Sequence, residues 1–496
     1  MSAEKIHATG LRIAQHLKDE LESGVAFKTR SFYGEAFTLA LLSRYELLND
    51  ELRQKLYDLI KAKDKTDPEY HWEFVNYALL DYRNRSRDTA FDDLIFPLKF
   101  KGTSCMNWSL LRLATKAKAK EVKAEEILEI KKKLKVLQQP SGLILDDKGV
   151  RSFQYHAFST CLLFELSKSC RDDDFSKAFK KGVEFIRHFI FPNGETLHIG
   201  RGQHQSFGQG CLLSLLSFAF IETKNVELLA EAELIHKYLL RFEKTPGQFP
   251  LVMSEAAQPL PQKNNFMEDP DYAGWYPYNN HYDYLPFFAF YLHVASEFLA
   301  EATPNDWEEA SRGLCTSYHD KDFLLVSLTR YMALLARPGG YWSNEQSLPL
   351  IFYKKDVRTP SLGGECFQKS LYNEESLGLP YHPKYEKSLR WKAFSFWMGN
   401  NLFVLSPLGF LKRSFHFTEN AIRVSEFFFS PFKGWKHMRS FLPQTTRLDG
   451  KALRGPGFTF KSSEVLEDAD PGLSAKGKIK NFWSHKCSEM SWEFDS

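Results

Sequence analysis

No apolar run in this 496-residue sequence reaches the roughly 18 residues that a membrane-spanning helix needs. The opening stretch, MSAEKIHATGLRIAQHLKDE, lacks the apolar core of a secretory leader. Cysteine is scarce: there are 7, an odd number, and none form a CxxC pair. A disulfide scaffold and a paired-cysteine zinc site are thereby excluded. The expectation is a cytoplasmic protein with reduced thiols, or a secreted or periplasmic one if a leader has been removed. Neither sign of charge dominates, the net charge being +3, so nothing steers the chain to nucleic acid. The lysine-rich stretch KAKAKEVKAEEILEIKKKLK (117–136) interleaves acids with its lysines and reads as a solvated helix face. HExxH, GxGxxG, P-loop and GxSxG patterns are all missing, so neither a metal nor a cofactor is expected.

What is abundant is aromatic. Phe, Trp and Tyr make up 15% of the chain, within a hydrophobic fraction of 43% and a charged fraction of 26%. Such a composition describes globular cores, with rings also suited to stack on sugar faces. The length implies two domains.

Up to about residue 315 the apolar pattern is helical and alternates in kind. Residues 11–22, 50–63, 122–137, 174–188 and 226–242 each carry one apolar stripe and one charged face. Between them lie segments apolar nearly all round: SFYGEAFTLALL, HWEFVNYALL, CMNWSLLRLA, FQYHAFSTCLLFEL, QSFGQGCLLSLLSFAF and HYDYLPFFAFYLHV. A helix apolar on all sides must be buried on all sides. Stacked hairpins satisfy this when they close into a ring, so residues 1–318 are expected to form an (α/α)6-type toroid. Residues 319–496 carry short β-rich runs between Gly and Pro turns and are expected to form an antiparallel β-sandwich. Two stretches resist assignment: DFLLVSLTRYMALLA reads equally as helix or strand, and EVLEDADPGLSAKGKIKNFWSHK reads as loop.

Each inner segment begins with polar and aromatic side chains. In order these are Tyr33 and Glu35; His71, Trp72 and Asn76; Asn107, Trp108 and Arg112; Gln154, Tyr155 and His156; His198, Arg201, Gln203, His204 and Gln205; and Asn279, Asn280, His281, Tyr282 and Tyr284. In a toroid the inner helices run parallel. Their N-termini then meet at one end, where free N–H groups and the positive dipole ends favour an anion. The inventory suits β-elimination on an acidic polysaccharide. Amide, guanidinium or imidazolium groups stabilise the enolate-like intermediate, imidazole or phenolate removes the proton α to the carboxylate, and a phenol protonates the leaving oxygen. On this reading His156, Tyr155 and Tyr284 are the catalytic candidates. Gln154, Arg201, Gln203, His204, Gln205, Asn280, His281, His71 and Asn107 bind substrate, and Trp72, Trp108 and Trp275 offer stacking faces.

The stretches FQYHAF (153–158) and PNGETLHIGRGQHQSFGQG (192–210) carry a resemblance. The chain resembles the toroid-plus-β-sandwich polysaccharide lyases, the group holding chondroitin AC, alginate and heparinase II/III-type lyases. In that group an Asn–His or similar pair sits on one inner helix, and an Asp–Gly loop leads to a Tyr-bearing inner helix. The resemblance implies a polysaccharide or oligosaccharide substrate and roles for Gln154, Tyr155, His156, Asn193, Gly194, His198, Arg201, Gln203 and Gln205. Tyr155 stands where the group has Asn, and Phe207 stands about where it has the catalytic Tyr. No histidine occurs in ARPGGYWSNEQS (336–347), where some members carry a metal loop. Two other readings remain open: a toroid glycoside hydrolase using Glu268, Asp269 or Asp271 with Glu35, and a non-catalytic glycan-binding or polysaccharide-assembly protein.

Overall fold

The structure is a computed structural model. It describes the chain except residues 1, 29–30, 65–70, 96–102, 201, 254–279, 314–315, 339–346, 354–355, 358–377, 443, 475–476, 486–487 and 496. Its helices are α1 (Ser2–Glu22), α2 (Gly34–Arg44), α3 (Asp50–Lys61), α4 (Trp72–Ser86), α5 (Met106–Ala119), α6 (Ala124–Leu137), α7 (Phe153–Ser169), α8 (Asp173–Arg187), α9 (Ser206–Thr223), α10 (Glu227–Leu240), α11 (His281–Leu299) and the short α12 (Pro304–Glu309). Among the described residues, no helix is long and apolar enough to cross a membrane.

The two kinds of apolar pattern become two layers. In α8 the buried residues Phe175, Ala178, Phe179, Gly182, Val183, Phe185 and Ile186 fall at helical spacing, leaving a charged face outward. In α9 every residue from Ser206 to Phe220 is buried. The inner helices α2, α4, α5, α7, α9 and α11 each pack on the next, and α11 packs back on α2, so the ring closes. Outside it, α3 lies on α2, α6 on α5, α8 on α7, α10 on α9 and α1 on α11. The toroid read from the sequence is therefore present.

Closure depends on two small features. Gly34 opens α2 where a Cβ would come within 1.8 Å of the Tyr282 carbonyl oxygen, so only glycine fits. Pro286, inside α11, has no N–H to offer that carbonyl four residues back.

The chain enters its strands at Tyr318. They are β1 (Tyr318–His319), β2 (Phe323–Ser327), β3 (Tyr331–Ala336), β4 (Leu350–Tyr353), β5 (Asp356–Val357), β6 (Tyr381–His382), β7 (Lys387–Ser388), β8 (Phe394–Met398), β9 (Asn401–Ser406), β10 (Gly409–Thr418), β11 (Ala421–Phe429), β12 (His437–Phe441), β13 (Thr446–Arg447), β14 (Ala452–Gly455), β15 (Phe458–Ser462), β16 (Glu467–Ser474), β17 (Gly477–Ser484) and β18 (Glu489–Phe494). A five-stranded sheet β1-β2-β3-β4-β5 faces an eight-stranded sheet ordered β13-β14-β15-β18-β11-β10-β9-β8, with smaller sheets β12-β17-β16 and β6-β7. All described pairings are antiparallel.

The five-stranded sheet is covered on both faces. Phe323, Leu325, Met332, Leu334 and Phe352 join the toroid core. Their alternates Leu324, Tyr331, Ala333, Leu335 and Ile351 join a second core with Leu402, Val404, Leu411 and Ile422 of the larger sheet. Burial on both faces explains why DFLLVSLTRYMALLA shows no strand alternation. It is the hairpin β2–β3, with Leu325 opposite Leu334. The polar stretch read as loop is the ribbon β16–β17. A register shift between Ala469 and Gly472 accommodates Asp470 and Pro471 on the edge strand. At the junction Asp322 meets Arg337 at 2.6 Å and Arg151 at 3.2 Å, and Arg151 also donates to the Arg337 carbonyl.

Candidate functional site

The inner helices begin at a common end of the ring, and a cavity of about 160 Å³ lies there. Its lining draws on every inner helix: Tyr33 before α2, His71 and Phe74 at α4, Asn107 and Trp108 on α5, Tyr155 and Phe158 on α7, Phe207 on α9, and Tyr284 and Phe287 on α11. Residues 251 positions apart in sequence thus share one wall. The rings are packed against one another. Tyr33 stacks on Phe74 at 4.6 Å, Trp108 meets His71 edge-on at 5.0 Å, and Phe207 meets Tyr284 edge-on at 4.9 Å. Larger hollows exist on the β domain, one of about 620 Å³ over β10, β11, β15 and β18. Among the described residues, the linings of these hollows do not bring phenol, imidazole and amide groups together as this cavity does.

Three phenols approach each other here. Burial, then the nearby Tyr284, Asp283 and Tyr155, push the Tyr33 phenol well above its ordinary range, so it remains a proton donor. Asn107 is oriented by a hydrogen bond from its side-chain amide to Asp146. The Ser152 hydroxyl caps α7 by accepting from the Tyr155 amide at 3.2 Å, which fixes the turn that carries Tyr155.

Of the residues expected in the bowl, His71, Asn107, Trp108, Tyr155 and Tyr284 line this cavity. Others are placed elsewhere. His156 faces α8: its Nδ1 accepts from the Ile144 amide at 3.0 Å and its Nε2 bonds the Gly182 carbonyl at 2.9 Å. It is fully buried, and desolvation holds it neutral with a pKa of about 4. It ties the α7–α8 hairpin together and does not reach the cavity, because neighbours on a helix point about 100° apart. Gln154, on the other side of Tyr155, donates to Gln205 at 2.8 Å and locks α7 to the start of α9. Gln203 donates to the His198 carbonyl at 2.6 Å. Asn280 caps α11 by accepting from the Asp283 amide. His281 lies toward His16 of α1, where desolvation and that neighbour lower it to about 3. Trp72 packs half-buried against the toroid core. Arg201 and Trp275 lie outside the described residues, as do Glu268, Asp269, Asp271 and most of ARPGGYWSNEQS.

The carboxylates at the inner-helix starts are all engaged. Glu35 pairs with Lys63 at 2.6 Å and accepts from Ser31, Glu73 pairs with Arg112 at 2.9 Å, and Asp283 accepts from the amides of Phe32, Tyr33 and Gly34. Burial and the proximity of Glu35 raise Asp283 to about 6 against those amides.

One grouping was not anticipated. Glu195, His198 and His204 meet before the start of α9, with Glu195 Oε1 3.8 Å from His198 Nδ1 and 3.7 Å from His204 Nε2. Gln203, His204, Gln205 and Ser206 of the polar run are all buried. The spacing of the grouping, E-x2-H-x5-H, matches no helical ligand motif, and only the fold brings the three together.

No protein-family model matches the sequence, and no curated protein sequence matches it. Solved structures do. The chain superposes on the chondroitin AC lyase of Streptomyces coelicolor A3, solved with chondroitin sulphate, at a TM-score of 0.55 and 11% identity, covering 100% of this chain and 79% of that one. It superposes on a Paenibacillus xanthan lyase at a TM-score of 0.52 and 10% identity, covering 93% of this chain and 53% of that one. It therefore spans about half the length of the xanthan lyase. What is shared at such identities is architecture: the chain has the fold of the toroid-plus-β-sandwich polysaccharide lyases.

Proposed function

We propose that the chain is a carbohydrate-active enzyme that cleaves an acidic, uronate-containing polysaccharide by β-elimination at the toroid cavity. The observation that carries this reading is the meeting of Tyr33, Tyr155, Tyr284, His71 and Asn107 in one aromatic-walled space at the helix N-termini. The reaction needs three things. The substrate carboxylate must be stabilised as its α-proton leaves, and Asn107, the Tyr33 and Tyr284 hydroxyls and the helix dipoles supply donors. A base must take the C5 proton, the role of the His71 imidazole. An acid must protonate the O4 leaving oxygen as the C4–O bond breaks, the role of Tyr155. Trp108 offers the sugar face. The cavity is small against ordinary ligand pockets of ~300 Å³ or more, which suits the one residue whose bond is broken.

Incubation with a panel of uronate polymers, followed by ultraviolet absorbance of the new double bond, tests the reading. Phe207 favours a second reading, since it places a ring without a hydroxyl between Tyr155 and Tyr284. Glycan binding by calorimetry, with no absorbance and no new reducing ends, would support a non-catalytic glycan-binding protein. New reducing ends without absorbance would instead support hydrolysis.

A further inference from the structure

The segment between α8 and α9 is folded tightly on itself. Phe191 donates its amide to the Glu195 carbonyl at 2.9 Å, and Glu195 donates its own to the Asn193 side chain at 2.9 Å. Gly194 takes a φ of +89°, where a Cβ would meet the Leu234 carbonyl oxygen at 2.4 Å. His204 also takes a left-handed φ, +58°, and its carbonyl accepts from the Met253 amide at 2.7 Å. These constraints drive three ligand-type side chains inward. Glu195 is 1% exposed, and His198 and His204 are 0% exposed. One ligand atom from each lies within 4.8 Å of the other two. The Phe191 ring covers His198 at 4.2 Å and touches Phe352 of β4 at 5.6 Å.

We propose that Glu195, His198 and His204 bind one first-row divalent cation, zinc by the match of the donor set. Two imidazoles and a carboxylate are the nitrogen and oxygen donors that zinc takes at about 2.0–2.2 Å. Tetrahedral donors at that radius stand roughly 3.3–3.5 Å apart. The two oxygen–nitrogen separations, 3.7 and 3.8 Å, exceed hydrogen-bond length and close to that value by shifts of a few tenths of an ångström. The role is structural. The cation clasps the α8–α9 segment to the start of α9, three residues before Phe207 enters the cavity, and the β4 ring of Phe352 backs it through Phe191. The proposal stands whatever the cavity does, since its readouts are metal content and stability.

The test is the full chain produced in zinc-supplemented medium, dialysed exhaustively and analysed by metal mass spectrometry. About one zinc per chain is expected, falling at least fivefold in Glu195→Gln and His204→Gln and unchanged in the exposed control His485→Gln. Zinc below about a tenth per chain in the wild type overturns the proposal, and so does zinc kept undiminished by both site variants. Should the variants not fold, the wild type decides alone. Refolded from denaturant with Co²⁺, it should develop visible ligand-field bands, and refolded with Zn²⁺ it should melt at least ~2 °C above the metal-free chain. A colourless, unshifted protein is a hydrogen-bonded core with no cation site.

Discussion

The Oδ1 atom of Asp283 lies 2.7 Å from the amide nitrogen of Gly34. The same carboxylate accepts from Tyr33 at 2.8 Å and Phe32 at 2.9 Å, so the last inner helix caps the first across 249 residues or more. It joins the ring and sets Tyr33 and Tyr284 in the same wall. In Asp283→Ala three buried donors lose their acceptor. Each such loss costs ~1–3 kcal/mol, so the variant should unfold at clearly lower urea with the circular dichroism of its folded state unchanged. A midpoint equal to wild type would mean the seam is held by packing alone.

Asp322 does similar work between the two domains. Burial would raise its carboxyl, but Arg151 and Arg337 hold it below the usual carboxylate range. Asp322→Ala removes the carboxylate that faces Arg151, which is 3% exposed, and should cost ~3–5 kcal/mol. Replacing Arg151 by Met as well should recover part of that loss. Chemical denaturation of the two variants measures both effects.

His156 predicts a pH dependence. Its folded pKa, about 4, lies below the ordinary 6.5, so the unfolded chain binds the extra proton between these values. The stabilisation is full above pH 6.5 and is lost as pH falls towards 4, a change on the order of 3 kcal/mol. His156→Gln should flatten that limb of the stability profile by close to one proton. Asp283 contributes with the opposite sign: raised to about 6, it favours the folded state at low pH and ceases to do so as pH rises through 6. The comparison must therefore be variant against wild type at each pH.

In the cavity, Tyr155→Phe and His71→Gln should each lower the elimination rate ~10²–10⁴-fold, with oligosaccharide affinity nearly unchanged. Tyr284→Phe should lose less rate than Tyr155→Phe. Steady-state kinetics beside calorimetric binding separates the two effects, and the reverse order would exchange the roles of the two phenols.

The ring was legible because Ser206–Phe220 and its counterparts have no polar face to give to water. The end of the ring that holds the cavity was legible too, since His71, Asn107, Trp108, Tyr155 and Tyr284 all stand at inner-helix starts. Which of three successive residues faces the axis was not. Gln154, Tyr155 and His156 have equal claims in the sequence, and only the packing of α8 and α9 assigns Tyr155 to the cavity. The β16–β17 ribbon was hidden because an edge strand can keep Pro471 and Asp470 where a central one could not. Glu195, His198 and His204 were hidden because left-handed turns, not a repeat, bring them together.

The seam between α11 and α2 also orders events on the ribosome. The apolar flanks of α2 and α9 share α11 as neighbour, so neither is covered before residue 299 has emerged from the exit tunnel. For most of its synthesis the nascent toroid is an open arc with two sticky ends, the stage at which it most needs a chaperone.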